Sequence, residues 1–193
     1  MMRHDAALLL IDLQNDFCPG GRLAVPNGDD VIKVANALMP YFKVIIATQD
    51  WHPHNHSSFE STWPVHCVQN SVGAQFHADL RSESITNIIQ KGTDVLIDSY
   101  SAFYDNAHLK STGLTQWLRE NHITVLYVMG LATDYCVKFS ALDAIADGFE
   151  VYLIVDGCRG INLEKHDIEN ALHQMQDKGA YLIQSSHIMS KPL

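Results

Sequence analysis

The sequence has few cysteines and no apolar run long enough for a membrane span, and both shortages narrow the class of protein. Four cysteines occur in 193 residues. Without a secretory signal, a chain of this length is predicted to hold reduced thiols rather than a disulfide scaffold. The apolar run near the N-terminus, Ala6–Ile11, is short and leads directly into Asp12, so it predicts neither an anchor nor a signal peptide. We therefore predict a cytoplasmic protein that does not bind membranes.

Positive charge is also scarce. Lys and Arg number 13 against 22 Asp and Glu, the formal net charge is −9, and the basic residues form no cluster in the sequence. A phosphate backbone would be repelled by such a chain, so nucleic acid is not a predicted partner. The 47% share of hydrophobic residues, with 18% charged residues, instead suits one packed domain covering residues 1–193.

Short runs rich in Val, Ile and Leu recur along the chain and predict six strands. Their lack of polar alternation is typical of strands buried on both faces of a parallel sheet. The predicted strands are residues 6–11, 44–47, 88–89, 125–129, 151–155 and 181–183. The predicted helices are residues 29–41, 111–120, 134–146 and 163–178, and residues 156–160 are predicted to form a turn. Strands and helices in alternation predict an α/β fold with helices on both faces of the sheet.

Residues 49–75 show no regular pattern and are rich in side chains that bind metals. Asp50 and His52 lie two apart on an extended segment, so they project the same way, and His66 can return as a third ligand. A carboxylate with two imidazoles suits Zn²⁺, Fe²⁺ or Mn²⁺, and we predict one divalent ion per chain, with Zn²⁺ preferred. The alternative is a set of solvated loop histidines. Further candidate ligands in this loop are His54, His56 and Glu60.

Three reactive side chains follow predicted strands, at the sheet edge where open parallel sheets bind ligands. Asp12 ends the first strand, Lys91 follows the third, and Cys136 lies in the first helical turn after the fourth. The N–H groups at that helix start favour a thiolate and can hold an oxyanion, and a nearby Lys91 would lower the thiol pKa further. Asp12 can take the thiol proton and pass it to leaving ammonia. These residues predict acyl transfer through a thioester.

Each of these residues also has an ordinary alternative. Cys136 can be a buried core thiol, because free cysteine is among the most buried residue types. Asp12 can close a turn, and Lys91 can be a solvated loop residue. The strand, turn and helix around Cys136 are absent at the other cysteines, which are Cys18, Cys67 and Cys158.

Taken in order, these motifs resemble those of the nicotinamidases, a family of isochorismatase-like cysteine hydrolases. The resemblance runs from about Ala6 to Gly160. The matching motifs are DLQNDFC at 12–18, DWHP at 50–53, WPVHCVQ at 63–69, KG at 91–92 and GLATDYC at 130–136. It implies a three-layer α/β/α isochorismatase-like hydrolase fold with a six-stranded, mostly parallel sheet. It also implies a homo-oligomer that converts nicotinamide, and also pyrazinamide, to the acid and ammonia.

The resemblance implies a role for each catalytic residue. Asp12 matches the aspartate that acts as acid and base, Lys91 the charge-stabilising lysine, and Cys136 the nucleophile. The N–H groups of Ala132 and Cys136 would hold the oxyanion. The peptide bond between Leu131 and Ala132 is expected to be cis, which would direct these N–H groups at the oxyanion.

The resemblance also implies how the substrate ring is held. Phe17 and Trp63 are large apolar side chains in loop-like segments, which suits a flat pocket wall, although core packing is the commoner fate of such residues. Implied substrate contacts are Phe17, Trp63, Leu131 and Ala132. Implied metal ligands are Asp50, His52 and His66, with His56 and Glu60 as possible additions. The metal would bind the ring nitrogen and position the substrate rather than activate the nucleophile.

Two rival functions remain at the level of sequence. An isochorismate hydrolase or another small-amide hydrolase would keep the fold and change the substrate, but the isochorismatase route lacks the cysteine nucleophile and the metal set. A silent binding or metal-storage module would keep the fold without catalysis. The intact set of Asp12, Lys91 and Cys136 argues against that module, and an ammonia-release assay separates the two.

Overall fold

The computed structural model describes residues 4–190, and its centre is a six-stranded sheet. The strands are β1 (Ala6–Ile11), β2 (Val44–Asp50), β3 (Asn87–Lys91), β4 (Val125–Leu131), β5 (Glu150–Arg159) and β6 (Tyr181–Ile183). Their order is β3-β2-β1-β4-β5-β6, and each neighbouring pair is parallel. The six predicted strands are confirmed, and the sheet is wholly rather than mostly parallel.

Helices cover both faces of this sheet. They are α1 (Asp30–Leu38), α2 (Ser58–Ser61), α3 (Leu114–Glu120), α4 (Lys138–Ala146), α5 (Asp167–Asp177) and α6 (Ser185–Met189). The chain moves from β1 to β2 in one direction and from β4 through β5 to β6 in the other. Right-handed crossovers therefore place α1 and the pair of α4 and α5 on opposite faces. Within residues 4–190, no helix combines the length and apolarity that crossing a membrane requires.

The structure corrects several predicted boundaries. The predicted turn at 156–160 is wrong, because β5 continues through Arg159 and pairs Cys158 with Gly130 of β4. The helices predicted from residues 111 and 163 begin later, at Leu114 and Asp167. The helix predicted from residue 134 starts with a π-helical turn, Thr133–Val137, before α4. The short helices α2 and α6 are not predicted, because their sequences show no clear hydrophobic periodicity.

The two central strands form the middle of the core and also position the site. Every residue of β1 and of β4 is buried, as expected for strands covered by helices on both faces. The edge strand β3 differs, since its Ile88 is 48% exposed. From β1 and β4 the chain leaves in opposite directions, which opens a crevice at their carboxyl ends.

Candidate active site

Asp12 and Cys136 meet in the crevice between the two central strands. Asp12 directly follows β1, and Cys136 lies in the π-helical turn Thr133–Val137 after β4. One oxygen of Asp12, one oxygen of Asp50 and the sulfur of Cys136 all lie within 4.8 Å of one another. The sheet thus brings together groups from three separate parts of the sequence.

The ammonium of Lys91 occupies the middle of this cluster. Its Nζ lies 2.9 Å from Oδ2 of Asp12 and 3.4 Å from Sγ of Cys136. The same Nζ donates to the Asp50 carboxylate, and it donates to the carbonyl oxygen of Ser99 at 3.0 Å. Burial acts to lower the pKa of Lys91, but the charges of Asp12 and Asp50 outweigh it and hold the pKa well above its usual value. With 1% of its surface exposed, Lys91 is not a solvated loop residue.

Asp12 is held in place by a threonine of β2. Its backbone φ is +51°, its N–H donates to Oγ1 of Thr48 at 3.1 Å, and that hydroxyl donates back to Oδ1 at 2.5 Å. Burial raises the pKa of Asp12, although the Lys91 charge and the Thr48 hydrogen bond act in the opposite direction. Asp12 is therefore better able to accept a proton than an exposed carboxylate.

The thiol of Cys136 has a higher pKa than the sequence predicted. Burial raises its pKa well above the usual value, and the Asp12 and Asp50 carboxylates add to the rise. Lys91 does lower the pKa, as predicted, but does not outweigh burial. The groups that favour a thiolate are therefore outweighed by burial, and the buried thiol needs a base to become a nucleophile.

Asp50, His52 and His66 form the predicted metal-type group, with ligand atoms within 4.8 Å of one another. Nδ1 of His52 pairs with the Gly92 carbonyl and Nδ1 of His66 with the Pro64 carbonyl, both at 2.8 Å. This leaves each Nε2 near Oδ2 of Asp50, at 3.5 Å and 3.8 Å respectively. Within the described part of the chain, Nε2 of His52 is buried without a hydrogen-bond partner. This donor set, with its ring tautomers fixed by carbonyls, fits a divalent cation.

The three additional ligands predicted from the loop, His54, His56 and Glu60, differ in burial and in whether they join a metal-type group. His56 is 1% exposed, and its ring centroid lies 4.2 Å from that of His52. Its Nε2 has no hydrogen-bond partner among the residues that the structure describes. His52, His56 and Asp98 form a second metal-type group. Glu60 is exposed on α2 and joins neither group. His54 is also exposed.

A small aromatic cavity opens beside Cys136. Its lining residues are Phe17, Leu23, Asp50, Trp63, His66, Asp98, Tyr100, Ala132, Tyr135, Cys136 and Ile161. Nε1 of Trp63 donates to the Tyr100 hydroxyl at 3.1 Å, and Tyr135 packs edge-on against Trp63 at 5.0 Å. These contacts hold the Trp63 ring in a fixed orientation.

The sequence prediction missed part of this lining. Leu23, Tyr100 and Ile161 lie outside the recognised motifs, and no local signal marks them. Tyr135 is the exception, because its place directly before Cys136 in the nucleophile turn could have indicated it.

The peptide bond between Leu131 and Ala132 is cis, as the resemblance implied. Ala132 lines the cavity. The side chain of Leu131 is buried, lies toward Gly28 and does not line the cavity. The substrate contact of Leu131 and the oxyanion role of the Ala132 and Cys136 N–H groups stay predictions.

Gly92 packs so closely on His52 that a side chain at this position is expected to disturb metal binding. Gly92 has a φ of +62°, and an added Cβ would lie 2.4 Å from the His52 ring. We expect Gly92→Ala to weaken Zn²⁺ binding by about 10- to 100-fold, as loss of a supporting contact to a ligand does. Chelator competition measures this affinity. Gly148→Ala is the control, because Gly148 also has a positive φ but has open space around it. Equal affinities in the two variants would contradict the expectation.

Comparison with known proteins defines the class. The chain belongs to the isochorismatase family, because residues 6–187 match the Isochorismatase domain. Within the family it is 49% identical to the nicotinamidase of Escherichia coli (strain K12), over 91% of this chain and 93% of that protein. PnC1 from L. infantum, solved in complex with nicotinate, is 38% identical with a TM-score of 0.91, covering 96% of both chains. The pyrazinamidase of Pyrococcus horikoshii, solved in complex with zinc, is 42% identical with a TM-score of 0.83, covering 93% of this chain and 99% of that one.

Proposed function

We propose that this chain is a nicotinamidase, which hydrolyses nicotinamide to nicotinate and ammonia and also accepts pyrazinamide. The observation that carries the proposal is the convergence of Cys136, Asp12 and Lys91 beside a small aromatic cavity that a metal-type group borders. The nicotinate complex of the L. infantum relative supports the choice of substrate. The cysteine and the metal-type group argue against an isochorismate hydrolase.

The reaction begins with a proton transfer within the buried cluster. Asp12 takes the proton of the Cys136 thiol, and the sulfur attacks the carboxamide carbon. The N–H groups of Ala132 and Cys136 hold the oxyanion. When the carbon–nitrogen bond breaks, Asp12 returns the proton and ammonia leaves. Water then attacks the thioester while Asp12 accepts one proton, the carbon–sulfur bond breaks, and Asp12 returns that proton to the sulfur of Cys136. The acid gives its own proton to solvent and leaves as nicotinate.

Lys91 stabilises the charges through these steps without exchanging a proton. Its pKa lies well above the usual value, despite burial, because two carboxylates surround it. It therefore stays an ammonium while negative charge moves between Asp12 and the sulfur of Cys136. Oδ2 of Asp12 and Sγ of Cys136 both lie within 3.4 Å of Nζ. The Lys91 ammonium can therefore balance the negative charge on either atom.

The remaining residues hold the substrate ring. Asp50, His52 and His66 would bind a divalent cation, for which we propose Zn²⁺ ahead of Fe²⁺ or Mn²⁺, since the P. horikoshii relative was solved with zinc. When bound, this cation would supply an electrophilic position for the pyridine nitrogen. Phe17 and Trp63 line the cavity and would pack against the ring, which orients the carboxamide toward Cys136.

The cellular setting is inferred from the cysteine usage together with the resemblance. We infer that one domain of residues 1–193 acts in the cytoplasm, in NAD salvage, as a homo-oligomer. The four cysteines are free and buried, which supports a reducing compartment.

Ammonia release from nicotinamide, with nicotinate identified by chromatography, tests the proposed function. We expect turnover with nicotinamide and pyrazinamide and none with isochorismate. A metal-storage or binding module would take up zinc without releasing ammonia. Absence of ammonia from the zinc-loaded protein would therefore refute the proposal.

Asp12 and Lys91 are expected to act as one unit with the thiol. Asp12→Asn should reduce kcat/KM by about 10²- to 10⁴-fold, the usual contribution of a positioned acid or base. Lys91→Ala should reduce it by about 10²- to 10³-fold, as loss of a group that stabilises developing charge does. The double variant should lose less than about a further 10-fold, because either change already disables proton transfer. Losses that simply multiply would mean that the residues act independently.

Stability provides the control for these variants. Lys91→Ala leaves the carboxylates of Asp12 and Asp50 buried without their ammonium, which is expected to cost about 3–5 kcal/mol of unfolding free energy. Adding Asp12→Asn removes one of these charges and should recover part of the loss. Thermal unfolding of all variants therefore distinguishes lost chemistry from lost fold.

A further inference from the structure

The hydroxyl of Thr48 forms a hydrogen bond with one of the two carboxylate oxygens of Asp12. The Thr48 side chain is fully buried in β2. Its Oγ1 accepts the Asp12 N–H at 3.1 Å and donates its single hydrogen to Oδ1 of Asp12 at 2.5 Å. A proton on Oδ1 would compete with the hydroxyl hydrogen for the same position. The Oδ1 oxygen is therefore kept as an acceptor.

The other oxygen of Asp12 has different surroundings. Oδ2 forms an ion pair with Lys91, 2.9 Å from Nζ, and has no hydrogen-bond partner among residues 4–190. Sγ of Cys136 is a neighbour of the same ammonium, at 3.4 Å. Oδ2 is thus the Asp12 oxygen that shares a neighbour with the reacting sulfur.

We propose that Thr48 is a positioning residue that restricts proton transfer to Oδ2 of Asp12. This inference rests on the proposed function, in which Asp12 carries the proton from the thiol to ammonia. The hydroxyl holds the carboxylate plane through Oδ1 and leaves Oδ2 as the oxygen that receives and returns the proton. Without the hydroxyl, the carboxylate can rotate and the two oxygens lose their separate roles.

A second buried side chain keeps the backbone in place when Thr48 is changed. Gln14, two residues after Asp12, accepts the Asp50 N–H at 2.8 Å and donates to the Asp50 carbonyl oxygen at 2.9 Å. Gln14 thus ties the segment after β1 to the end of β2 independently of Thr48. Loss of the Thr48 hydroxyl removes the acceptor of the Asp12 N–H as well as the donor to Oδ1, so it should loosen Asp12 itself rather than the alignment of the strands.

The test compares Thr48→Val, which removes the hydroxyl at nearly constant volume, with Thr48→Ser, which keeps it. We expect Thr48→Val to lower kcat for nicotinamide by about 10- to 100-fold, as misplacement of a catalytic group does. KM should change less than about twofold, because Thr48 does not line the cavity. Thr48→Ser should stay within about threefold of the wild-type kcat. An unchanged kcat in Thr48→Val, or an equal loss in Thr48→Ser, would overturn the inference.

Thr86 offers a matched control near the other end of β2. Its Oγ1 accepts the Ile45 N–H at 3.0 Å and donates to the Ile45 carbonyl oxygen at 2.7 Å. Thr86→Val therefore also removes one accepted and one donated hydrogen bond of a threonine hydroxyl, here at an exposed residue and to backbone groups away from the site. It should leave kcat unchanged. If Thr86→Val lowered kcat as much as Thr48→Val, the effect would be structural and the inference would be wrong.

Alkylation of Cys136 by iodoacetamide tests the role of Thr48 without nicotinamide, and so independently of the proposed function. Removal of the thiol proton by Asp12 precedes alkylation as it precedes attack on an amide. Thr48→Val should slow Cys136 labelling relative to wild type and Thr86→Val, as followed by mass spectrometry. If the wild type fails to hydrolyse nicotinamide but labelling still depends on Thr48, the function is wrong and the positioning role stands. Labelling that is independent of Thr48 would refute the positioning role.

Discussion

Replacing Cys136 with alanine will reduce ammonia release from nicotinamide by roughly 10⁴-fold or more, since it removes the nucleophile of the covalent route. The fold and the bound metal should persist. The change removes one sulfur atom from the cavity wall, and Cys136 is not among Asp50, His52 and His66, the ligands that we propose. Zinc content by mass spectrometry and a thermal unfolding curve check both points. Near-normal turnover in this variant would rule out the thioester.

Cys158 provides the matched control for this experiment. It has the same residual exposure as Cys136, 6%, but its thiol donates to the Ile154 carbonyl oxygen and does not line the cavity. Cys158→Ala should therefore retain activity. Iodoacetamide should modify Cys136 first, for its access to the cavity and its neighbouring base rather than for a low resting pKa. Preferential labelling of any other cysteine would count against Cys136 as the nucleophile.

The second large effect is expected with benzamide, which keeps the ring shape and carboxamide of nicotinamide but lacks the ring nitrogen. A site built to bind a polar atom rejects an analogue without it by about 10⁴-fold or more, whereas a purely apolar slot hardly discriminates. We expect this ratio between the kcat/KM values of nicotinamide and benzamide for the zinc-loaded protein. Pyrazinamide keeps the nitrogen and should remain a substrate. Equal hydrolysis of benzamide and nicotinamide would refute recognition of the ring nitrogen.

Removing a metal ligand should abolish this discrimination. His66→Ala, or treatment with a chelator, is expected to lower nicotinamide turnover toward the benzamide level, because Nε2 of His66 is one of the three proposed donors. Cys136 should still react with iodoacetamide, since the thiol and its base are unchanged. His77→Ala is the control, as His77 pairs with Asp79 away from the cavity. A His66→Ala variant that kept full zinc content and full selectivity would show that His66 has another role.

The order of elements could be predicted because it depends on local properties. A strand buried on both faces needs a continuous apolar run, as in Ala6–Ile11, and this pattern is visible without any knowledge of its neighbours. The prediction of a turn at 156–160 is wrong because the conformation of this segment depends on a neighbouring strand rather than on local properties. Whether Gly157 and Cys158 form a turn or a strand depends on the partner that β4 offers, and Gly and Asp in the sequence favour a turn.

The composition of the site could likewise be predicted only in part. The motif residues Asp12, Asp50 and Cys136 carry recognisable chemistry at the ends of predicted strands. Thr48 and Tyr100 do not, because a threonine in a strand or a tyrosine in a loop has many ordinary uses. Their roles follow from what they contact, which is the Asp12 carboxylate for Thr48 and the Trp63 indole for Tyr100.

The amino-acid sequence was enough to establish which chemical groups are present and that they follow strands of a parallel α/β fold. Folding decided which of these groups meet. The strand order places β1 beside β4, so that Asp12 and Cys136 share a crevice, and it buries Lys91 between two carboxylates. Folding also decided the direction of the Cys136 pKa shift, which burial raises despite the nearby lysine. A pKa depends on desolvation and on distances through space, and neither quantity exists until remote segments of the chain pack together.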